Sequence, residues 1–230
     1  MYQTFYRDQT QFYVAVDCII FGFSEGRLSL LLLKRNMEPA KGQWSLPGGF
    51  IEAQESSEVA AARVLSTLTG LDEVYMDQLM LFSKIDRDPG ERVLSVAFYA
   101  LINVADSNRE QVRLHNAYWR DLDDLPALIF DHPEMVHSAL KRLRIEASTK
   151  PIGFNLLPER FTVPQLQALY EAIYGISIDK RNFRKKLQSM PFLVKLDEKD
   201  KTSSKRGAYL YSFDKERYEK AKLEGIHFAL

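Results

Sequence analysis

Cysteine, glycine and proline are scarce in this 230-residue sequence, which has one cysteine, 11 glycines and 9 prolines. A single cysteine cannot form an internal disulfide, and Cys18 lies in an apolar run, so we expect a small buried side chain there. The few glycines and prolines exclude collagen-like and mucin-like chains. No apolar run approaches the roughly 18 residues that cross a bilayer, and the aromatic, polar amino end is unlike a signal peptide. A globular cytoplasmic protein with no membrane partner is expected.

Net charge is also absent, because 31 basic and 31 acidic side chains balance, but the charges are unevenly distributed. Residues 1–150 have 16 Lys and Arg against 21 Asp and Glu, whereas residues 151–230 have 15 against 10. Residues 180–206 alone have ten basic and three acidic side chains. Such a local excess is typical of a surface that meets phosphates, although many charged runs are only solvated faces.

The sequence divides into two predicted domains, residues 1–150 and residues 151–230, at a polar segment that ends with Pro151. Apolar runs with strand-like or helical patterns alternate in the first domain. Its predicted elements are, in chain order, strands at 12–21 and 28–33, a helix at 56–68, strands at 79–85 and 94–104, and a helix at 133–144. This order favours the α+β fold class.

The second domain has the pattern of a winged helix-turn-helix. Thr162 and Pro164 begin an amphipathic helix that Gly175 ends, and a second helix begins at Lys180. Two strand-like runs follow, joined by a polar and basic hairpin tip at 202–207. A solvated helical hairpin with a mobile loop is the alternative. The presence of a basic helix together with a basic hairpin tip favours the winged helix.

Eight residues of this second domain are the predicted DNA contacts. Residues near the start of a recognition helix point into the major groove, so Arg181, Asn182 and Arg184 are best placed to contact base edges. The remaining residues of the set are expected to contact phosphates. The full set is Lys180, Arg181, Asn182, Arg184, Lys185, Lys186, Lys205 and Arg206.

A second pattern, at fixed spacing, follows a Gly-rich loop in the first domain. The pattern is G-x5-E-x7-R-E-U-x-E-E-x-G-U, where U is apolar, and six positions match it in register. The matching residues are Gly49, Glu55, Arg63, Leu65, Gly70 and Leu71. The first domain therefore resembles the Nudix family, which implies an α/β/α sandwich with a mixed sheet. Val64, Thr67 and Leu68 occupy the three positions that are glutamates in the family pattern.

The three replaced positions determine the expected chemistry. Residues 64, 67 and 68 share one helical face, where glutamates would converge on a hard cation that requires oxygen ligands. Hydrolysis of a diphosphate needs such an ion to clamp phosphoryl oxygens and to activate water. Val64 and Leu68 cannot hold it. The sequence therefore predicts a Nudix fold that is not an enzyme, with no catalytic residues, no metal site and no cofactor, and with Glu55 mainly a structural partner of Arg63.

Both domains together resemble one closer family, the Nudix-related transcriptional regulators of bacteria. The segments that carry this resemblance are 41–50, 118–119, 124–126, 130–132, 156–162 and 179–187. The resemblance implies a homodimer that binds a small effector in its Nudix-like domains and a double-stranded DNA operator through its winged helices, usually as a repressor. Some members sense ADP-ribose and control NAD metabolism, whereas others sense a pentose such as arabinose and control sugar catabolism.

The effector is predicted from the charge of the first domain. Cations normally neutralise the diphosphate of ADP-ribose, and here the helix carboxylates are lost and the domain is acidic. These two features favour a neutral pentose, L-arabinose above all, and control of sugar catabolism genes, with ADP-ribose as the alternative. Trp44 would supply an aromatic face for the sugar, with core packing as its alternative role. The predicted effector-binding residues are Lys41, Gln43, Trp44, Glu55, Asp86 and Arg87.

Two further functions stay open at this point. A residual Nudix pyrophosphohydrolase would show magnesium-dependent cleavage of ADP-ribose, against which the missing glutamates argue. A protein-interaction module would use the aromatic amino terminus, which suits a dimer contact or a seal between domains equally well. That cluster consists of Tyr2, Phe5, Tyr6, Phe12 and Tyr13.

Overall fold

The computed structural model describes residues 5, 8–104, 106–201 and 207–224, with the side chains of 106–108 left out. The described part of the first domain contains one seven-stranded sheet. Its strands are β1 (Tyr13–Ser24), β2 (Arg27–Lys34), β3 (Trp44–Ser45), β4 (Gly48–Phe50), β5 (Asp77–Phe82), β6 (Val93–Asn103) and β7 (Ala117–Asp121). The strand order is β3-β2-β1-β6-β5, with β4 paired to β1 and β7 paired to β2. β1 and β6 are parallel and the other pairs are antiparallel, so the sheet is mixed.

Helices cover both faces of this sheet because β1 is apolar on both sides. Successive strand residues point to opposite faces. Cys18 and Ile20 share one core cluster with Leu65, whereas Ile19 and Phe21 share another with Leu143. The helices in the described part of the domain are α1 (Ser57–Thr69) and α2 (Asp106–Leu114) on the first face, and α3 (His132–Thr149) on the second.

The described residues of the second domain form three α-helices, a short 3-10 helix (Phe154–Leu156) and a small antiparallel sheet of order β8-β10-β9. Its elements are β8 (Phe161–Thr162), α4 (Val163–Tyr174), α5 (Lys180–Gln188), β9 (Leu193–Asp200), β10 (Ala208–Phe213) and α6 (Lys215–Leu223). α4 begins with a capping box, in which Thr162 Oγ1 accepts from the Gln165 amide and Gln165 Oε1 accepts from the Thr162 amide. It ends at Gly175, whose φ of 68° suits glycine.

The two domains share one continuous hydrophobic core. Leu166 of α4 and the buried Phe154 belong to the same cluster as Phe21 and Leu143 of the first domain. Two hydrogen bonds also cross the junction, from Asn103 Nδ2 to the Leu156 carbonyl at 2.7 Å and from Arg144 Nε to the Ile173 carbonyl at 2.9 Å. The orientation of the second domain on the first is therefore set by side-chain packing as well as by the connecting chain.

The α+β class, the Nudix-type sandwich and the winged helix are confirmed, and Cys18 is buried as expected. α3 ends at Thr149, next to the boundary predicted near residue 150. No helix in the described ranges is long and apolar enough to cross a membrane. Of the aromatic amino-terminal cluster, Phe5, Phe12 and Tyr13 are exposed. Tyr2 and Tyr6 lie outside the described residues.

Candidate functional sites

The Gly-rich loop passes so close to its neighbours that two glycines are required. A Cβ atom at Gly48 would lie 2.2 Å from Asp17 Oδ1, and one at Gly49 would lie 2.9 Å from Val64 Cγ2. Any side chain at these positions would displace either a buried carboxylate or the first helix. The loop is thereby held against β1 on one side and α1 on the other.

Glu55 is held by Arg63. Arg63 donates from Nε to Glu55 Oε2 at 2.9 Å and from Nη2 to Glu55 Oε1 at 2.5 Å, and also to the Phe50 carbonyl at 3.0 Å. The Glu52 amide donates to Glu55 Oε1 at 2.7 Å. The hydrogen bonds from Arg63 are the main reason why the pKa of Glu55 falls to about 2. These contacts place Glu55 in the structural role that its spacing from Arg63 predicts.

The face of α1 that carries glutamates in the family pattern has lost its cation-binding character. Val64 is buried beneath the Gly-rich loop and Leu68 packs against the core, while only Thr67 is exposed. Within the described ranges, no group of three or more His, Cys, Asp or Glu side chains could hold a metal ion. The described residues therefore do not fit the divalent ion of a Nudix hydrolase.

A buried polar network lies beneath the loop. Arg87 donates two hydrogen bonds to Asp131, at 2.9 and 2.8 Å, and approaches Asp17 Oδ2 at 3.5 Å. Ser95 donates to Asp17 at 2.6 Å, and His132 Nε2 lies 3.7 Å from its other carboxylate oxygen. All five side chains are buried or nearly so. The network connects β1, β6, the loop that follows β5 and the start of α3.

The ring of His132 forms a hydrogen bond with the backbone of the Gly-rich loop. Its Nδ1 accepts a hydrogen bond from the Leu46 amide at 3.1 Å, which leaves the proton on Nε2, facing Asp17. Burial lowers the pKa of His132, so the ring is neutral at pH 7. Neither His132 nor Asp17 is among the site residues predicted from the sequence. The available signal was a single carboxylate inside an apolar run.

Trp44 lies in a cluster of cations and aromatic rings. Lys34 Nζ is 4.1 Å from the centroid of the Trp44 ring and Arg120 Cζ is 4.5 Å from it. The Tyr118 ring stands edge-on to Trp44, with centroids 5.7 Å apart. Of these four residues, only Trp44 is a candidate predicted from the sequence. Two of them belong to β7, an element that the sequence did not reveal.

The six predicted effector residues are distributed over separate arrangements. Glu55 is in the ion pair on α1, Arg87 is in the buried network, and Trp44 is in the aromatic cluster. Lys41, Gln43 and Asp86 are exposed. Among the described contacts, no hydrogen bond or ion pair joins one of the six to another, and their role in binding stays a prediction.

The described DNA-binding candidates form one exposed face of α5. Phe183 and Leu187 are each only 3% exposed and fix the helix to the core. Asp179 caps its start by accepting from the Asn182 amide at 2.8 Å. Lys205 and Arg206 lie outside the described residues. The exposed candidates on this face are Lys180, Arg181, Asn182, Arg184, Lys185 and Lys186.

Two lysines of β9, which are not among the DNA contacts predicted from the sequence, lie beside an aromatic ring of β10. Lys195 Nζ and Lys199 Nζ lie 3.6 and 4.5 Å from the centroid of the Tyr209 ring. A groove of about 410 Å³ is lined by Arg184 of α5 and by Lys195 and Tyr209 of the two strands. The signal was the period-two spacing of Lys195 and Lys199 along β9, which places both side chains on one face of the strand.

Two family descriptions match the two domains. Residues 11–139 match the NUDIX domain, and residues 153–213 match the NrtR DNA-binding winged helix domain. The first match alone covers more than half of the chain. Together the two matches cover most of both domains.

Three relatives connect these domains to known proteins. The chain is 30% identical to an ADPR responsive transcriptional repressor, NtrR, of Acinetobacter baylyi, over 90% of this chain and 84% of that protein. It is 35% identical to an ADP-ribose pyrophosphatase of Methanocaldococcus jannaschii, over 56% of this chain and 73% of that protein. The third relative is the NrtR protein of Shewanella oneidensis, which is known from several crystal structures.

The crystal structure of Shewanella oneidensis NrtR with a 27mer DNA is similar over 89% of this chain and 94% of that one, with a TM-score of 0.74 and 28% identity. The NUDIX domain of the same protein in complex with ADP ribose is similar over 60% of this chain and 92% of that one, with a TM-score of 0.52 and 29% identity. The similarity to a repressor and to an NrtR structure covers both domains, in the same order and over nearly the whole chain. The chain belongs to the Nudix-related transcriptional regulators of the NrtR type.

Proposed function

We propose that this protein is an ADP-ribose-responsive repressor in which ADP-ribose, bound to the Nudix domain, changes the affinity of the winged helix for an operator. The observation that carries the proposal is the similarity, over 90% of the chain, to a repressor that responds to ADP-ribose. The similarity of the Nudix domain to one that binds ADP ribose also supports it. Control of NAD metabolism, the alternative predicted from the sequence, is then the expected role.

The preference for a pentose and for sugar catabolism is not supported, because two relatives that cover both domains are named for a response to ADP-ribose and as NrtR. The prediction of a pentose rested on the net charge of residues 1–150, which does not determine the charge of a single pocket. An acidic domain can still present a basic pocket.

The exposed face of α5 is proposed to bind the operator. Lys180, Lys185 and Lys186 are exposed and suit phosphates, and Arg181 and Arg184 suit base edges. A homodimer would present two such faces to two half-sites about one helical turn, or a multiple of it, apart. Action on an operator requires the cytoplasm, where we expect the protein to be.

Hydrolysis of ADP-ribose is the second candidate, favoured by the similarity to a pyrophosphatase. Val64 and Leu68 argue against it because neither can ligate a metal ion. We therefore propose binding without turnover.

The test measures the affinity of the purified protein for labelled promoter fragments by fluorescence anisotropy, with and without ADP-ribose. We expect ADP-ribose to lower the affinity at least about 5-fold, the lower end of common coupling between sites, whereas L-arabinose has no effect. Incubation with ADP-ribose and Mg²⁺ should yield no AMP. If ADP-ribose does not change the affinity for the promoter fragment, the proposed effector is refuted. Release of AMP would favour the hydrolase.

A further inference from the structure

The backbone of the Gly-rich loop (residues 42–49) is joined to the turn that precedes α3. The Trp44 carbonyl accepts a hydrogen bond from the Ile129 amide at 3.1 Å. Two residues later, the Leu46 amide donates to His132 Nδ1, also at 3.1 Å. Leu46 and His132 are both buried, so water cannot take the place of either partner. Without the acceptor on His132, the Leu46 amide would be a buried donor with no hydrogen bond, which is costly.

The turn has a conformation that local preferences do not favour. Phe130 has a φ of 50°, a left-handed conformation in which a bulky side chain is an outlier. Asp131 occupies the N-cap position of α3, where aspartate usually accepts from the first helical amides. Its side chain forms no such bond, and both of its oxygens accept from Arg87 instead. Strained backbone persists only where the surrounding contacts fix it, and it is concentrated at functional sites.

The loop has a second anchor, on β1. The Cys18 amide donates to the Pro47 carbonyl at 2.8 Å. Asp17 Oδ1 lies so close to Gly48 that a Cβ atom there would be 2.2 Å away. His132 belongs instead to α3, the helix that also donates a hydrogen bond to the second domain. The loop is therefore held between the central strand and the helix that connects the two domains.

We propose that His132 is a positioning residue for the effector, an inference that rests on the proposed function. By accepting from the Leu46 amide, its ring fixes the loop that carries Gln43 and Trp44, two of the predicted effector residues. The ring is 3% exposed and acts through the loop, without touching the ligand. A loop that already has its binding conformation loses less conformational freedom when the ligand binds, and this raises the affinity.

The test compares two variants of similar size, His132→Asn and His132→Leu. Asn places its Oδ1 close to the position of the histidine Nδ1 and can accept from the Leu46 amide, whereas Leu has no acceptor. Both variants lose the rest of the ring, so the difference between them isolates the acceptor. Isothermal titration calorimetry measures the affinity for ADP-ribose, and fluorescence anisotropy measures the ligand-free affinity for the promoter fragment.

We expect His132→Leu to bind ADP-ribose at least about 5-fold more weakly than His132→Asn, the effect of one buried amide without an acceptor. Both variants should keep the ligand-free operator affinity of the wild type, because the second domain is unchanged. Equal ADP-ribose affinity in the two variants would overturn the positioning role and leave the proposed function intact. Wild-type protein that binds no ADP-ribose would overturn both.

A measurement on the wild-type protein decides the question if His132→Leu does not fold. Hydrogen exchange followed by mass spectrometry compares residues 44–50 and residues 128–135 with and without ADP-ribose. We expect ADP-ribose to slow the exchange of both segments together, because the hydrogen bond to His132 joins them. Slower exchange in the loop alone, or in neither segment, would contradict the role of His132.

Discussion

Glu55 illustrates how a residue of the family pattern contributes to stability at the scale of single side chains. Its pKa is about 2, below the ordinary value of 4.5, because Arg63 donates hydrogen bonds to the charged form. A lowered folded-state pKa means that the pair stabilises the fold above the unfolded value and loses this effect as the pH falls through the folded value.

Glu55→Gln should therefore lower the melting temperature at pH 7. The difference from the wild type should shrink as the pH falls from about 4.5 to about 2, where the wild-type carboxylate becomes protonated. Thermal denaturation followed by circular dichroism over this pH range measures the effect. Glu91→Gln, at an exposed position with no ion pair to another described residue, is the control. A difference that stayed constant down to pH 2 would show that the charge of Glu55 is not the source of its stabilising effect.

Some single residues could be identified from the sequence and others could not. Gly49, Glu55 and Arg63 were predictable because they lie at fixed spacing around one helix. The buried network was not, because Asp17 meets Arg87 and Ser95 across 70 and 78 residues of chain. Contacts of this kind depend on strand pairing between distant segments, and no local sequence pattern predicts them.

Helix α5 connects sequence to function at the scale of an element. Asp179 caps its start, Phe183 and Leu187 face the core, and the remaining face is exposed and basic. The side chain of Arg181, in the first turn, is therefore exposed, as the predicted contact with a base edge requires.

Arg181→Ala should weaken operator binding by about 1–3 kcal/mol, the usual discrimination provided by a bidentate contact to a guanine. Fluorescence anisotropy at a fixed salt concentration measures the change. Arg217→Ala is the matched control, since it removes an exposed arginine of α6 that pairs with Asp214. Equal losses in both variants would indicate a general charge effect, and no loss in the Arg181 variant would remove this residue from the interface.

The elements found from the sequence have strong local signals, and those missed have weak ones. α1 and α4 have capping residues at their starts and glycines after their ends. α2 is mostly polar and has only Val112 buried among its described side chains, while Ala221 is the one buried residue of α6. β7 is stabilised by pairing with β2, which lies far away in sequence.

At the scale of the whole molecule, α3 connects the candidate effector domain to the DNA-binding domain. Its first residue, His132, accepts a hydrogen bond from the Leu46 amide beside the Gly-rich loop. Near its other end, Arg144 donates to the Ile173 carbonyl in the last turn of α4. The composition of residues 148–151 predicts a simple linker, whereas the shared core makes the junction a packed interface, which a sequence alone does not show.

Arg144→Ala should therefore weaken the coupling between the two sites more than it weakens either binding reaction. Coupling between two sites requires contacts that join their domains, and the hydrogen bond from Arg144 to the Ile173 carbonyl is such a contact. We expect the factor by which saturating ADP-ribose lowers operator affinity to fall toward one, while ligand-free operator affinity changes less than about 2-fold. Lys141→Ala, at an exposed position of the same helix, is the control. If the Arg144 variant kept the wild-type factor, the signal would have to cross the interface elsewhere, through Asn103 and Leu156 or through the shared core.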